Sequence, residues 1–376
     1  MSPVSITPED LMRSQAILSM LLALALCVAS PFAGATAQRT FVSAVGTDNP
    51  NCSIAAPCRS FAVAMDATSS GGEIIVLESA GYGPVTITKS VSIIAPPGIY
   101  GGISVASGLN GVTIDAPGAT VVLRGLSING QGGNYGILVQ QAARVRIENC
   151  VVSKMGAVGI YHTAPGAEMV VLDTIVRDNT EGLGLVASNA SIVMDRVHAE
   201  HNTNVGFYIA PVPGTFAVNA SIADSAFVEN GLHGIWADTL AGSLGSGPYT
   251  GIQVVRSVIA RNGHDGFRAT AAAAFSSAFV TLRGNLVGRN GAHGIYALAP
   301  PPGIVNMNAA DNAIDSNYAG TLGNGITAQG SGARVRVSGN SGIAFMQCLD
   351  GATMISLGNN AVEDAVGACL STGTGF

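Results

Sequence analysis

Glycine recurs along this chain at intervals that suit one coil of a solenoid. Gly136, Gly159, Gly184, Gly206, Gly234, Gly266, Gly294 and Gly325 are separated by steps from 22 residues (Gly184 to Gly206) to 32 residues (Gly234 to Gly266). An apolar residue follows each: Ile137, Ile160, Leu185, Phe207, Ile235, Phe267, Ile295 and Ile326. Ahead of each glycine the segments share an order of short strand, polar corner, second short strand and Asn-containing turn, as in RIENCVVSKMGAVGIYH and VVRSVIARNGHDGFRAT. A coil of three short strands is too thin to bury its own apolar face, so it gains a core only by stacking on its neighbours, about 4.8 Å apart. Residue types then pile up in columns, as they do here. A sandwich would show hairpin signals joining strands in pairs, and this spacing lacks them.

Composition agrees. With 48% hydrophobic and 11% charged residues, the chain is neither disordered nor a coiled coil. A solenoid grows in one dimension, so 376 residues need no domain boundary. The formal charge of −6 and the presence of only two lysines, Lys89 and Lys154, argue against nucleic acid or an anionic membrane as partner.

Residues 16–30, AILSMLLALALCVAS, follow Arg13 and precede Ala35-Thr36-Ala37, the order of a secretory signal peptide. The run is short against the ~20 residues of a membrane span. The expected layout is a signal peptide over 1–37, an N-terminal capping segment over 38–72, coils over 73–345 and a C-terminal cap over 346–376. The mature chain is expected to be secreted or periplasmic, with no membrane contact after cleavage. Cys52 and Cys58 lie close enough to close a small loop, and Cys348 and Cys369 form the other natural pair. Cys150 is then left as a buried, inert thiol. No spacing of Cys or His suggests a metal, and no motif implies a cofactor.

The repeat I-x-N/D-x-x-I-x-x-N-x-x-x-G-I, over roughly residues 70–345, resembles that of right-handed parallel β-helix proteins of the pectin-lyase-like superfamily. The N-terminal segment from Thr40 also resembles the start of exported bacterial members. The resemblance implies an all-β, single-stranded right-handed parallel β-helix. It does not imply an activity, because this fold hosts lyases, hydrolases and adhesins alike.

The columns carry the functional expectations. Glu148, Asp173, Asp195, Asp224, Arg256, Arg283 and Asp311 occupy the polar corner. Stacked carboxylates could hold calcium, but Asp and Asn also suit a left-handed bend, which accounts for the column without a metal. Asn179, Asn202, Asn230, Asn262, Asn290 and Asn317 read as a turn ladder. The residue before each glycine changes from apolar (Val158, Leu183, Val205) to polar (His233, Asp265, His293, Asn324). Two residues after each glycine, strand alternation points Tyr161, Val186, Tyr208, Trp236, Arg268, Tyr296 and Thr327 outward. Tyr208, Trp236, Arg268 and Tyr296, beside His233, Asp265 and His293, form a candidate surface for sugar rings. Stacked aromatics and alternating charge also stabilise neighbouring coils without any ligand. The longest turns, within residues 210–216, 238–251, 269–279 and 297–305, fall beside the same coils.

Two functions follow. One is an exported module that binds a polysaccharide or cell-surface glycan, or serves as a structural surface module. The other is a polysaccharide lyase or glycosidase: NGHDGF at 262–267 is similar to the N-T-D-G-I strand of polygalacturonases, which makes Asp265, with His233 and His293, the candidate catalytic group. The partner carboxylate that a glycosidase needs is missing from the motif, which favours the binding module.

Overall fold

In the computed structural model, residues 37–212, 217–239, 249–272, 276–315, 317, 324–366 and 370–372 are described. From Ala37 onward the chain is a parallel β-solenoid. Its strands fall into three parallel sheets of 14, 12 and 10 strands among the described residues. One coil runs Arg144–Glu148, Val151–Ser153, Val158–His162 and then begins again at Glu168–Leu172. Each strand pairs with its equivalent one coil on: Val145 with Met169, Val152 with Val176, Ile160 with Leu183. Side-chain alternation sends Val145, Ile147, Val152 and Ile160 into the core, where all four are fully buried. The 12-stranded sheet holds the strands that begin at or beside the repeating glycine; it is called the glycine-led sheet below.

The N-terminal end is closed by a short helix, Phe61–Ala67, packed against strands Ala37–Val42, Thr68–Val76 and Val85–Ile87. Ser60 caps it by accepting from the Val63 N–H, and Phe61, Ala64 and Met65 are buried under it. Cys52 and Cys58 form a disulfide next to this cap, as their spacing predicts. Cys348 is also disulfide-bonded, whereas its expected partner Cys369 lies outside the described residues, as do residues 1–36 of the proposed signal peptide. The segment expected to be a C-terminal cap instead continues the coils: Ile343–Leu349 pairs with Val362–Val366, and Thr353–Ser356 with Leu370–Thr372. No helix among the described residues is long and apolar enough to cross a membrane.

Two ladders of buried polar side chains hold the coils together. In the first, Asn179, Asn202, Asn230, Asn262, Asn290 and Asn317 each pass hydrogen bonds to the next, at Nδ2···Oδ1 distances from 2.7 to 3.1 Å. The predicted turn ladder is therefore real. The second is less visible in sequence because its chemistry changes along the stack: Cys150 and Thr174, then the apolar Val197, then Ser225 and Ser257 give way to Asn285, Asn312, Asn340 and Asn360. Cys150 occupies one rung of this second column. Burial pushes its thiol up to about 11. Cys150 is therefore expected to resist iodoacetamide at pH 8 in the native protein and to react on unfolding, as mass spectrometry of the alkylated peptide would record.

The polar corner is built differently from a calcium site. Its left-handed residues are Asn149, Asp173, Arg196, Asp224, Arg256 and Asp311, so Glu148, Asp195 and Arg283 stand one position earlier than the column assumed. The acids are paired by arginine, across coils for Arg124 with Glu148, Arg196 with Asp173, Arg256 with Asp224 and Arg283 with Asp311, and within a coil for Arg146 with Glu148 and Arg196 with Asp195. These pairs neutralise the carboxylates that a divalent cation would need.

Candidate functional site

Strand pairing corrects the glycine column at one coil. Ile160 pairs with Leu183 and Tyr161 with Gly184, so the stacked glycine is Gly182 and not Gly184. EGLGL offers two glycines two residues apart, and either satisfies a strand's alternation. The column position itself demands glycine: a Cβ on Gly159 would lie 2.8 Å from the Gly182 carbonyl oxygen and 2.9 Å from Asn179 Nδ2. With the slip removed, the residue before the glycine is Glu181, not Leu183. The row becomes Tyr135, Val158, Glu181, Val205, His233, Asp265 and His293. The outward row becomes Tyr161, Gly184, Tyr208, Trp236, Arg268, Tyr296 and Thr327.

Tyr208, Trp236, Arg268 and Tyr296 do come together in adjacent coils. The Tyr208 ring meets Trp236 edge-on at 5.3 Å, and the Arg268 guanidinium lies 5.8 Å from the Trp236 ring and 5.0 Å from Tyr296. Trp236 Nε1 donates to Thr270 Oγ1 at 3.1 Å. The far end of the row is less open than alternation predicts: Tyr296 is only 8% exposed, stacks on His293 at 4.5 Å and bonds through its hydroxyl to Gln329. Tyr208, Trp236 and Arg268 are half-buried.

Asp265 is the hub of the ionisable row and is fully buried. Its Oδ1 accepts the His293 ring Nδ1–H at 2.8 Å and the His293 backbone N–H at 3.2 Å, and its Oδ2 accepts from Arg268 at 3.2 Å. Burial raises its carboxyl, but the His293 hydrogen bond and the neighbouring imidazoles outweigh this and bring it down to about 2. In its ionised form Asp265 accepts the hydrogen bonds that orient His293 and Arg268. His233 accepts the Asp265 backbone N–H on Nδ1 at 3.2 Å, and burial holds its ring neutral down to about 4.

His233, His264 and Asp265 offer three metal-type donors within 4.8 Å of one another. Two of the three residues are already engaged: Nδ1 of His233 takes a backbone proton, both Asp265 oxygens accept hydrogen bonds, and the Arg268 cation sits against the same carboxylate. His264 is exposed, with its Nδ1 3.4 Å from Asp265 Oδ1.

A concavity beside the aromatic row lies toward the N-terminal side of Trp236. A cleft of about 380 Å³ is lined by Tyr135, Tyr161, Glu181, Tyr208 and Trp236, with valines between them. It opens where the outward row has Gly184 in place of a side chain. Tyr135 and Tyr161 stack at 5.4 Å on one side, and Tyr208 and Trp236 stand on the other. Glu181 lies between the two pairs, and burial pushes its carboxyl above the usual range. Sequence reasoning missed Glu181 because of the slip at EGLGL, and missed Tyr135 because the row was read only from Val158. Parts of three long turns expected beside the site, residues 213–216, 240–248 and 273–275, lie outside the described residues.

Residues 110–243 match the family described as a right handed beta helix region. The solved structure of a pectate lyase superposes with a TM-score of 0.52 at 17% identity, over 90% of this chain and 80% of that one. The A-module of a mannuronan C-5 epimerase from Azotobacter vinelandii gives 0.50 at 15% identity, over 80% and 91%. No curated protein sequence matches the chain. At such identities the likeness is one of fold. Stacked parallel sheets, together with the match over residues 110–243, show that the chain folds as a right-handed parallel β-helix, similar in fold to the pectate lyase structure.

Proposed function

We propose that this is an exported β-helix module that binds a polysaccharide or cell-surface glycan along the outer face of the glycine-led sheet, between Tyr161 and Arg268. The observation that carries the reading is the set of aromatic rings in one outward row, Tyr161, Tyr208 and Trp236, beside a cleft that opens at Gly184 between the first two. A sugar ring lies flat against such rings while neighbouring polar groups orient its hydroxyls. The Cys52–Cys58 disulfide suits an oxidising compartment. Two proteins of the same fold are named for pectate and mannuronan, which makes a polysaccharide the first class to test.

Trp236→Ala is expected to weaken binding by roughly 1–2 kcal/mol, about a tenfold change in Kd, while circular dichroism keeps the β-sheet signature. Trp236→Phe should retain most of the affinity. Binding of the parent to a glycan array, followed by titration of the variants, checks both. An alanine variant that binds like the parent removes the stripe from the site.

A second reading is enzymatic, and the Asp265–His293 pair favours it. A buried carboxylate that holds the Nδ1–H of a partly exposed imidazole leaves Nε2 available as a base. Release of reducing ends or of unsaturated products that is lost in His293→Gln would support it. Binding without turnover would oppose it.

A further inference from the structure

The carboxylate in the cleft beneath Trp236 has surroundings unlike those of five other acids of the chain. Asp265, Glu148, Asp173, Asp224 and Glu229 each answer to an arginine or a histidine. The Glu181 carboxylate has no hydrogen bond or ion pair among the described residues, although the residue lies half-buried between Tyr161 and Tyr208. A second carboxylate stands behind the cleft, since Tyr208 donates its hydroxyl to Asp238 Oδ2 at 3.1 Å. The cation beside Trp236, Arg268, belongs to the following coil and is tied to Asp265. Four aromatic rings with negative faces therefore surround an uncompensated carboxylate.

We propose that this cleft is a subsite for an ammonium group carried on a glycan, an amino sugar with a free amine. The assignment rests on the glycan reading above and narrows it. Aromatic faces attract an organic cation, and the carboxylate supplies the counter-charge and a hydrogen-bond acceptor. A neutral sugar would leave Glu181 desolvated and unanswered. A uronate would be repelled by it, so this subsite selects against the acidic polymers for which the two structural neighbours are named. Gly184 keeps the site open: a Cβ there would come within 2.8 Å of the Tyr161 ring.

Trp236 is the sole tryptophan of the chain and lines the cleft, so its fluorescence reports occupancy directly. The full chain is titrated with a glucosamine tetramer, with the fully N-acetylated tetramer and with tetramethylammonium. The amine tetramer is expected to bind at least tenfold more tightly than its N-acetylated counterpart. Glu181→Gln should abolish that preference with little change for the N-acetylated tetramer, and Gly184→Val should close the site to both. Tetramethylammonium keeps its charge at every pH, and its binding should weaken on acidification as Glu181 takes up a proton. Among the groups facing Glu181, burial raises the Tyr161 and Tyr208 hydroxyls further above that range, Asp238 accepts the Tyr208 hydroxyl, and His233 beside Trp236 remains neutral down to about 4.

Equal binding of the two tetramers, or an unchanged preference in Glu181→Gln, overturns the ammonium assignment while leaving the glycan reading intact. Tetramethylammonium binding more tightly than the amine tetramer would assign the cleft to a small free cation and overturn the glycan-borne amine. If neither tetramer binds, both readings fall.

Discussion

Replacing Asn262 with alanine is expected to cost about 3–5 kcal/mol of stability, more than any single change on the outer face. Asn262 is buried at the centre of the first ladder. Its Nδ2 donates to Asn290 Oδ1 at 2.9 Å and to the Phe227 carbonyl at 3.1 Å. Its Oδ1 accepts both the backbone N–H of Asn230 at 3.1 Å and Asn230 Nδ2 at 3.0 Å. Alanine strands donors on one neighbouring coil and acceptors on two, in a space that excludes water. Each such buried group costs roughly 1–3 kcal/mol when left unpaired. Serine should be milder, because Ser225 and Ser257 fill equivalent rungs of the second ladder. Urea denaturation measures the loss, and hydrogen exchange should show it centred on the coils of Asn230 and Asn290, since each coil touches only its neighbours.

Lowering the pH from 6.5 toward 4 is expected to remove several kcal/mol of stability through two histidines. His162 is fully buried with both nitrogens engaged: Nδ1 accepts the Ala164 N–H and Nε2 meets the Ala167 carbonyl, each at 3.3 Å. A second proton on that ring would point at an N–H. His233 is similarly placed over the Asp265 N–H. Burial brings both rings from 6.5 down to about 4. Between those values the unfolded chain takes up protons that the folded chain refuses, so stability is complete above 6.5 and declines as pH falls toward 4. The difference of 2.5 units corresponds to at most about 3 kcal/mol per histidine. Glu181, raised by burial, works in the opposite direction but is one group against two. Asp265 adds its own loss only below 3.8. Thermal melts of His162→Gln/His233→Asn across this range should be much flatter than those of the parent. An equal slope would rule the pair out.

Most of the architecture was legible because stacking repeats its chemistry. One column of glycine and one of asparagine, in constant phase, leave little but a solenoid. The apolar residues after glycine pair in the structure as expected wherever the coil holds a single glycine, as for Ile235, Phe267 and Ile295. What pattern alone could not give was register where a coil offers two equivalent glycines. Gly182 and Gly184 both precede a leucine, and the steric demand of the Gly206 carbonyl and the Asn202 amide falls on Gly182. That two-residue slip hid Glu181, and with it the charge of the cleft. The second ladder escaped because a hydroxyl, a thiol and an amide can each fill a rung. Exposure at Tyr296 depended on Gln329, a contact from a later coil that alternation does not describe.

The glycine and asparagine columns interlock: the space a side chain would need at Gly182, Gly206, Gly234, Gly266 and Gly294 is filled by the amide of Asn202, Asn230, Asn262, Asn290 and Asn317 respectively. Neither residue can drift along the chain without the other. Insertions within the strands or polar corners therefore break phase at once, while the turn after each glycine-led strand absorbs any length. The molecule behaves like a ruler with fixed graduations. Its reach along the axis changes only by whole coils, so the span of ligand it can grip varies in steps of about 4.8 Å, while the loops along one edge diversify independently of that length.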